Sequence, residues 1–506
     1  MKNNLKYRVY IILLLITCTA IQVLAQMPVH TGRASPEEIK KARAAVEANP
    51  DSLKAYKAYI YAMGLNNPLL GGQYQAWMKK HPKNVIIPLA FGTVYYSAEM
   101  PQAKEFLLKV VSMEPQNAEV WSMLSIDAYR WGRNDLSIEY MRKATLADPS
   151  NVDYACNYLM SFADSDPNYS QKVFDFVKRF PASERGAQAL YWLANGTQNR
   201  NTRVSYFEEL RKLYPPQQFN WSSYGMILLA DAYLQTDPGK ALALINQMDD
   251  DKDWKSRKQV AESLIHINKL EEDQNYKEAI IELNGVKLPS FNQFSDFIAL
   301  KKAALQEKAG DVKAAYDSLA VKFAKLPTDR LDTAVEWYGK KIGKDKGQVM
   351  KDVQAIRNSK AVAAYPFDLS LYTSNGKLKL NDLKGKVVLL TFWFPGCGPC
   401  RGEFPHFQAV INEFKGENVV YVGINVAAEQ DPYVIPFIEN TKYSFIPLRG
   451  SSEFAAKYYG VQGEPENFLI DKDGKIIFKN FRIDDSNHRT LELMISSLVQ
   501  KDEQNK

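Results

Sequence analysis

The run from Lys386 to Arg401, KVVLLTFWFPGCGPCR, restricts the fold more than any other stretch of the chain. Lys386 to Trp393 is an unbroken apolar run, the pattern of a strand covered on both faces. A helical pattern follows from about Arg401 to Phe414. Cys397 and Cys400 lie between the two, with two residues separating them, and that spacing at a strand-to-helix junction is the mark of a redox pair. In the first turn of a helix, unpaired backbone N–H groups and the positive end of the dipole stabilise an anion. Cys397, the more exposed of the two in such a geometry, is expected to be the attacking thiolate. Thiols in such motifs have a pKa lowered from about 8.5 to between about 3.5 and about 7.5. Cys400, further inside, is expected to resolve the mixed disulfide. A structural zinc ion needs four ligands. There is no second CxxC and no Cys/His pair nearby, so no metal is expected, and no other cofactor.

The chain has 506 residues, more than one core can serve, so several domains are expected. Its formal charge is +6, and Lys2, Lys6 and Arg8 supply part of it. So weak an excess, with no basic cluster, gives no argument for nucleic acid. Residues 1–25 read as a secretory signal: a basic start, the apolar core VYIILLLI from Val9 to Ile16, and Val23-Leu24-Ala25 before Gln26. The apolar run is shorter than the roughly 20 residues a spanning helix needs. Cys18 is the alternative, a lipid-attachment site, but Thr17 directly before it is larger than such sites usually take. The expectation is a soluble mature protein in the periplasm or cell envelope. Cleavage leaves Cys156, Cys397 and Cys400, which is not a disulfide-stapled scaffold. Cys156, between Tyr154 and Tyr158 in a helical pattern, reads as a small buried hydrophobe.

Residues 26–357 read as a helical repeat region. Pro50, Pro82, Pro115, Pro149, Pro181 and Pro215 each end an apolar-periodic segment, at spacings of 32, 33, 34, 32 and 34 residues. This resembles the 34-residue helix–turn–helix period of tetratricopeptide repeats. Residues 118–149 fit best, with Trp121, Leu124, Gly132, Ala144 and Pro149 in the characteristic places. An all-α solenoid of antiparallel helix pairs is expected, with Trp121, Trp131 and Tyr191 in the core between repeats. No catalytic constellation occurs in this half, and His30, His81 and His266 are isolated. It is therefore expected to bind a client or partner and to do no chemistry.

Residues 358–506 read as an α/β domain. Asn375-Gly376 marks a hairpin. Val419–Asn425, Asn467–Ile470 and Lys475–Phe481 read as further strands, and a helix runs from about Asn487 to Val499. That order is the order of a thioredoxin fold. The chain from about 365 to 503 resembles the TlpA/ResA-like thioredoxin family of exported thiol–disulfide oxidoreductases. The resemblance is carried by Pro366-Phe367, Leu383-Lys384-Gly385-Lys386-Val387-Val388, Phe392-Trp393, Cys397-Gly398-Pro399-Cys400-Arg401 with Glu403 and Pro405, and Gly460-Val461 to Pro465 followed by Phe468-Leu469-Ile470-Asp471. It implies a cis peptide before Pro465, and a substrate groove formed by Trp393, Gly398, Pro399, Glu464 and Pro465. Glu464 replaces a frequent threonine, and with Glu466 it would oppose a thiolate at Cys397. Thr391 stands where thioredoxins carry a buried, proton-moving acid. Glu429, just past the strand VVYVGIN, is the candidate for that proton relay. His406 receives no role.

The resemblance implies an enzyme, a thiol–disulfide oxidoreductase of the AhpC/TSA-like redoxin group serving cell redox homeostasis, most simply a disulfide reductase acting on protein substrates. Its clients would be apocytochrome c, in cytochrome c maturation, or another exported cysteine protein. A membrane electron-donor protein is implied, because the chain carries no electron carrier of its own. The alternatives are a periplasmic oxidase or isomerase using the same cysteines, and a repeat-protein adaptor whose thioredoxin-like domain only binds. A peroxidase would have threonine or serine three residues before its reactive cysteine, where this chain has Phe394.

Overall fold

Most of the proline series does two jobs in the structure, a computed structural model that describes residues 34–499 apart from 164, 249–251, 290, 291, 485 and 486. The expected signal peptide, Cys18 and His30 lie outside the described residues. Each proline follows a helix end, and after all but Pro215 the residue two places on accepts from an N–H at the start of the next helix. Ser52 accepts from the Ala55 N–H, Asn84 from Ile86, Asn117 from Val120, Asn151 from Asp153 and Tyr154, and Ser183 from Arg185. Proline disfavours continuation of a helix, and serine or asparagine satisfies orphan N–H groups of the next one. The spacing seen in the sequence is thus the spacing of helix pairs. Only Pro215 lacks such a partner, and Phe219 starts the next helix without a side-chain cap.

Helices succeed one another from Pro36 to Lys360, and the first strand begins at Val362. Four helices bear on the site: α1 (Ile86–Ser97), α2 (Ala103–Met113), α3 (Ala118–Arg130) and α4 (Asn134–Ala147). Their apolar faces meet closely. A Cβ at Gly92 of α1 would lie 2.8 Å from Leu107 of α2. Phe91 and Phe106 are centred 5.2 Å apart, and Tyr74 packs edge-on against both. Burying each such ring contributes about 1.5–3 kcal/mol.

The second part is a thioredoxin-like α/β domain. Its strands are β1 (Val362–Ala363), β2 (Asp368–Ser370), β3 (Lys377–Lys379), β4 (Val387–Trp393), β5 (Val419–Asn425), β6 (Ile446–Arg449), β7 (Glu466–Ile470) and β8 (Lys475–Lys479). Its longer helices are α5 (Gly398–Glu413), α6 (Asp431–Thr441) and α7 (His488–Val499). The sheet order is β1-β8-β7-β4-β5-β6, with β2 and β3 as a separate hairpin. β4 runs parallel to β5, from Val387 opposite Val419 to Trp393 opposite Asn425. Every residue of β4 is buried, as its apolar run requires. The junction that carries the cysteines therefore sits at the carboxyl end of an inner parallel strand, where α/β sheets place their sites.

β6 is absent from the sequence reading. Its four residues, IPLR, include Pro447, which removes a ladder donor and is tolerated because β6 is an edge strand.

The described residues form two compact units. One comprises the residues up to Tyr154 with Ala364–Phe468 and Asn480–Arg482, and the other comprises Ala155–Ala363, Leu469–Lys479 and the chain from Ile483. The first helices and the redox junction thus share one unit, a grouping with no local signal in the sequence.

The capping rule is testable. Asn117→Ala should lower stability by about 0.5–2 kcal/mol, whereas Asn117→Ser should cost only a few tenths. Urea melts with an unchanged slope would show this as a shift in midpoint alone.

Candidate functional site: a capped dithiol over a buried acid

Cys397 is the N-cap of α5. Its Sγ accepts a hydrogen bond from the Cys400 N–H at 3.2 Å. A sulfur atom thus takes the place that a serine or aspartate oxygen takes at ordinary helix starts. Cys397 and Cys400 are joined as a disulfide, with Cα atoms 5.4 Å apart. Cys397 is 3% exposed and Cys400 fully buried, so the expected order holds, but the difference is small. Gly398 and Pro399 between them are exposed. The pair therefore reaches solvent along the Gly398-Pro399 face. On reduction, a thiolate at Cys397 keeps the Cys400 N–H and the positive end of α5.

Glu403 lies three residues beyond Cys400, on the same side of α5, and is 5% exposed. Its Oε2 accepts from Asn467 Nδ2 at 2.9 Å. Thr391 Oγ1 donates to Asn467 Oδ1, also at 2.9 Å, and Asn467 Nδ2 donates again to the Phe481 carbonyl. Thr391, which replaces an acid on the strand, is thus tied through one asparagine to an acid on the helix. The fully buried Tyr421 lies by this group, its phenol pushed well above the usual value by burial. Glu429 is placed elsewhere, on an exposed turn after β5. The sequence signal for Glu403 is its i+3 spacing from Cys400, whereas Glu429 is a candidate because the family can use an acid further along the chain and it lies just past a strand.

The Glu464–Pro465 bond is cis. Pro465 is buried and Glu464 half-buried, and burial raises the Glu464 carboxyl above its ordinary value. Trp393 corrects the expected groove. It is fully buried and packs on Phe404, Phe437 and Phe445 at 5.0–5.3 Å. A ring at the end of a strand covered on both faces has no route to solvent, so Trp393 is core and lines no groove.

Residues 362–479 match the AhpC/TSA family. The C-terminal part is an AhpC/TSA thioredoxin-fold domain. Among curated proteins, the chain is similar to the thiol-disulfide oxidoreductase ResA of Bacillus thuringiensis, 37% identical over 101 residues, which is 20% of this chain and 58% of that protein. ResA of Bacillus subtilis is 35% identical over 108 residues, 21% of this chain and 60% of that protein. The thioredoxin-like protein YneN of Bacillus subtilis is 33% identical over 111 residues, 22% of this chain and 65% of that protein. The chain spans about three fifths of the length of these relatives.

The AhpC/TSA domain is gripped by two helical turns, α1–α2 and α3–α4. Gly396 N–H donates to Gln430 Oε1 at 2.6 Å, and Gln430 Nε2 donates to Glu99 in the α1–α2 turn. Glu99 is paired with Arg130 at 2.9 Å. From the α3–α4 turn, the Tyr129 carbonyl and Asn134 Oδ1 accept from Arg401, the latter at 2.8 Å. Gly132, at φ 72°, closes that turn against α6, where a Cβ would stand 3.2 Å from the Phe437 carbonyl oxygen. Trp131 was expected between repeats. Its ring instead meets Tyr433 of α6 edge-on at 5.4 Å. Trp121 packs on Tyr140, and Tyr191 lies among Phe207 and Trp221. The helical half, expected to stand apart from the chemistry, hydrogen-bonds the loop that carries it. The contacting residues lie hundreds of positions apart, beyond the reach of any local pattern.

Asp127 is the anchor of this contact. It is buried and accepts from Tyr433 Oη at 2.8 Å and Trp131 Nε1 at 3.0 Å. Burial raises its pKa, while the two hydrogen bonds and Arg130 pull it down. With a folded value above the unfolded one, Asp127 opposes folding increasingly as pH rises from the ordinary carboxylate range through that raised value. Tyr433→Phe removes a donor to the ionised form. It should cost about 1–3 kcal/mol near pH 7, and less in acid where Asp127 is protonated, as denaturant melts across that range would show.

Proposed function

We propose that this chain is a thiol–disulfide oxidoreductase that works as a reductase on exported protein disulfides. The observation that carries this reading is the Cys397 sulfur capping α5, bonded to a buried Cys400 with the acid Glu403 one turn further on. The likeness of residues 362–479 to AhpC/TSA proteins and to ResA supports it. In the reduced protein the Cys397 thiolate attacks one sulfur of a client disulfide. The other client sulfur leaves as a thiolate and takes up a proton. Cys400, losing its proton towards Glu403 through the buried polar group, then attacks Cys397 Sγ. The second client thiolate is released, and the Cys397–Cys400 disulfide is left.

Each cycle consumes two electrons, so an external dithiol must restore the pair. A membrane electron-donor protein fits an exported location, which rests on the signal-like residues 1–25. Apocytochrome c and other exported cysteine proteins fit as clients. Glu464, beside Pro465, puts a carboxyl next to the groove that Gly398, Pro399 and Pro465 would form, and favours client segments with a basic residue close to the cysteine. In this reading the helical half holds such a client near the dithiol, which raises its effective concentration.

Alkylation of the reduced protein near pH 7, mapped by mass, should label Cys397 before Cys400. Cys400→Ser should still form mixed disulfides, and Cys397→Ser should not. Glu403→Gln should slow release of the mixed disulfide on the order of 10²-fold while leaving the first attack intact. Faster labelling of Cys400 would reverse the assignment. A larger effect from Glu429→Gln would return the proton role to that residue.

A further inference from the structure

Arg401 directly follows Cys400 and is 7% exposed. Its guanidinium donates to the Tyr129 carbonyl, to Asn134 Oδ1 at 2.8 Å and to the Pro395 carbonyl at 3.4 Å. It lies 3.3 Å from the centre of the Tyr129 ring and 4.9 Å from that of Phe437. All of these partners are neutral. A buried cation ordinarily has an anion beside it, and burial accordingly lowers the affinity of Arg401 for its proton, opposed only by the phenols of Tyr129 and Tyr443. The carboxylates of the neighbourhood are engaged elsewhere. Glu99 pairs with Arg130 and Gln430, Asp127 with Tyr433 and Trp131, and Glu403 with Asn467.

The cation is also folded under the redox loop. Its side chain reaches back to the Pro395 carbonyl, two residues ahead of Cys397, while its backbone N–H makes the ordinary first-turn helix bond to the Cys397 carbonyl at 3.1 Å. In the disulfide state no carboxylate among the described residues is bonded to Arg401. Reduction creates an anion, the Cys397 thiolate.

We infer that the α3–α4 turn of the helical half, through Tyr129 and Asn134, holds Arg401 as the counter-charge of the Cys397 thiolate and thereby sets the redox poise of the dithiol. Tyr129 and Asn134 are positioning residues acting through Arg401. The inference rests on the reading of Cys397 and Cys400 as an exchanging dithiol. A cation that gains its anion only on reduction stabilises the reduced form, lowers the Cys397 pKa and raises the potential. Glu99, Glu403 and Glu464 act in the opposite sense when ionised. Asparagine at 134 matters because it orients the guanidinium without neutralising it.

The test uses the full chain and two readouts: the pH dependence of Cys397 alkylation and the dithiol–disulfide equilibrium against glutathione. Arg401→Gln should move the equilibrium about tenfold towards the disulfide, about 30 mV in potential, and shift the alkylation curve upward by about one pH unit. Arg401→Lys should restore most of both. Asn134→Asp, which gives Arg401 an anion from the helical half, should shift both readouts in the same direction as Arg401→Gln, and should have little further effect in the Arg401→Gln background. Two results would overturn the inference: wild-type constants in Arg401→Gln and Asn134→Asp, or an Asn134→Asp shift that persists undiminished without Arg401. Should Arg401→Gln not fold, Asn134→Asp, which keeps Arg401, decides alone. A wild-type chain unable to exchange disulfides would bring down the underlying reading instead.

Discussion

The hydrogen bond from the Cys400 N–H to Cys397 Sγ fixes the geometry on which the rest of the site depends. By capping α5 with a sulfur, the chain couples the start of a helix to the chemistry of a thiol. The strand before it must be covered on both faces to hold the junction still, and every residue of β4 is buried. The helix after it must present Cys400 inward, and Glu403 follows one turn later on the same side. The apolar run, the CGPC spacing and the position of Glu403 all bear on one place, the start of α5, where Cys397 caps the helix and Glu403 lies buried one turn past Cys400.

Local chemistry was legible in the sequence to the extent that it was local. The cysteine pair, the inner strand β4 and the prolines that separate helix pairs each announce themselves within a few residues. The buried acid was half legible. Glu403 stands in the motif, and its i+3 spacing puts it on the side of Cys400, but the resemblance points to an acid further along the chain, at Glu429. The groove role of Trp393 comes from the resemblance alone, and nothing local in the sequence separates a groove position from a core one there. On a strand covered on both faces, that position belongs to the core. β6 was missed because Pro447 and Arg449 give it a poor strand signature, which an edge strand can tolerate.

The contacts between the helical half and the redox loop were not legible at all. Asn134 and Arg401 are 267 residues apart, and Asp127 and Tyr433 are 306 apart. Periodicity places Trp131 in a helix pair but does not say what its ring meets. Only the fold shows that the α1–α2 and α3–α4 turns converge on Gly396, Arg401 and α6. The helical turns thereby supply part of the hydrogen-bonded surroundings of the loop that carries Cys397. Buried polar residues such as Asp127 and Gln430 are costly unless fully hydrogen-bonded, and their partners here cross between the two folds.

The proposed function turns on the direction in which the dithiol works. The most direct measurement is the reduction potential of the Cys397–Cys400 couple in the full chain, from equilibration with a dithiol buffer of known potential. A reductase with Gly-Pro between its cysteines should lie nearer thioredoxin, at about −270 mV, than DsbA, at about −120 mV. A value close to about −120 mV would contradict the account and make the protein an oxidant of exported thiols.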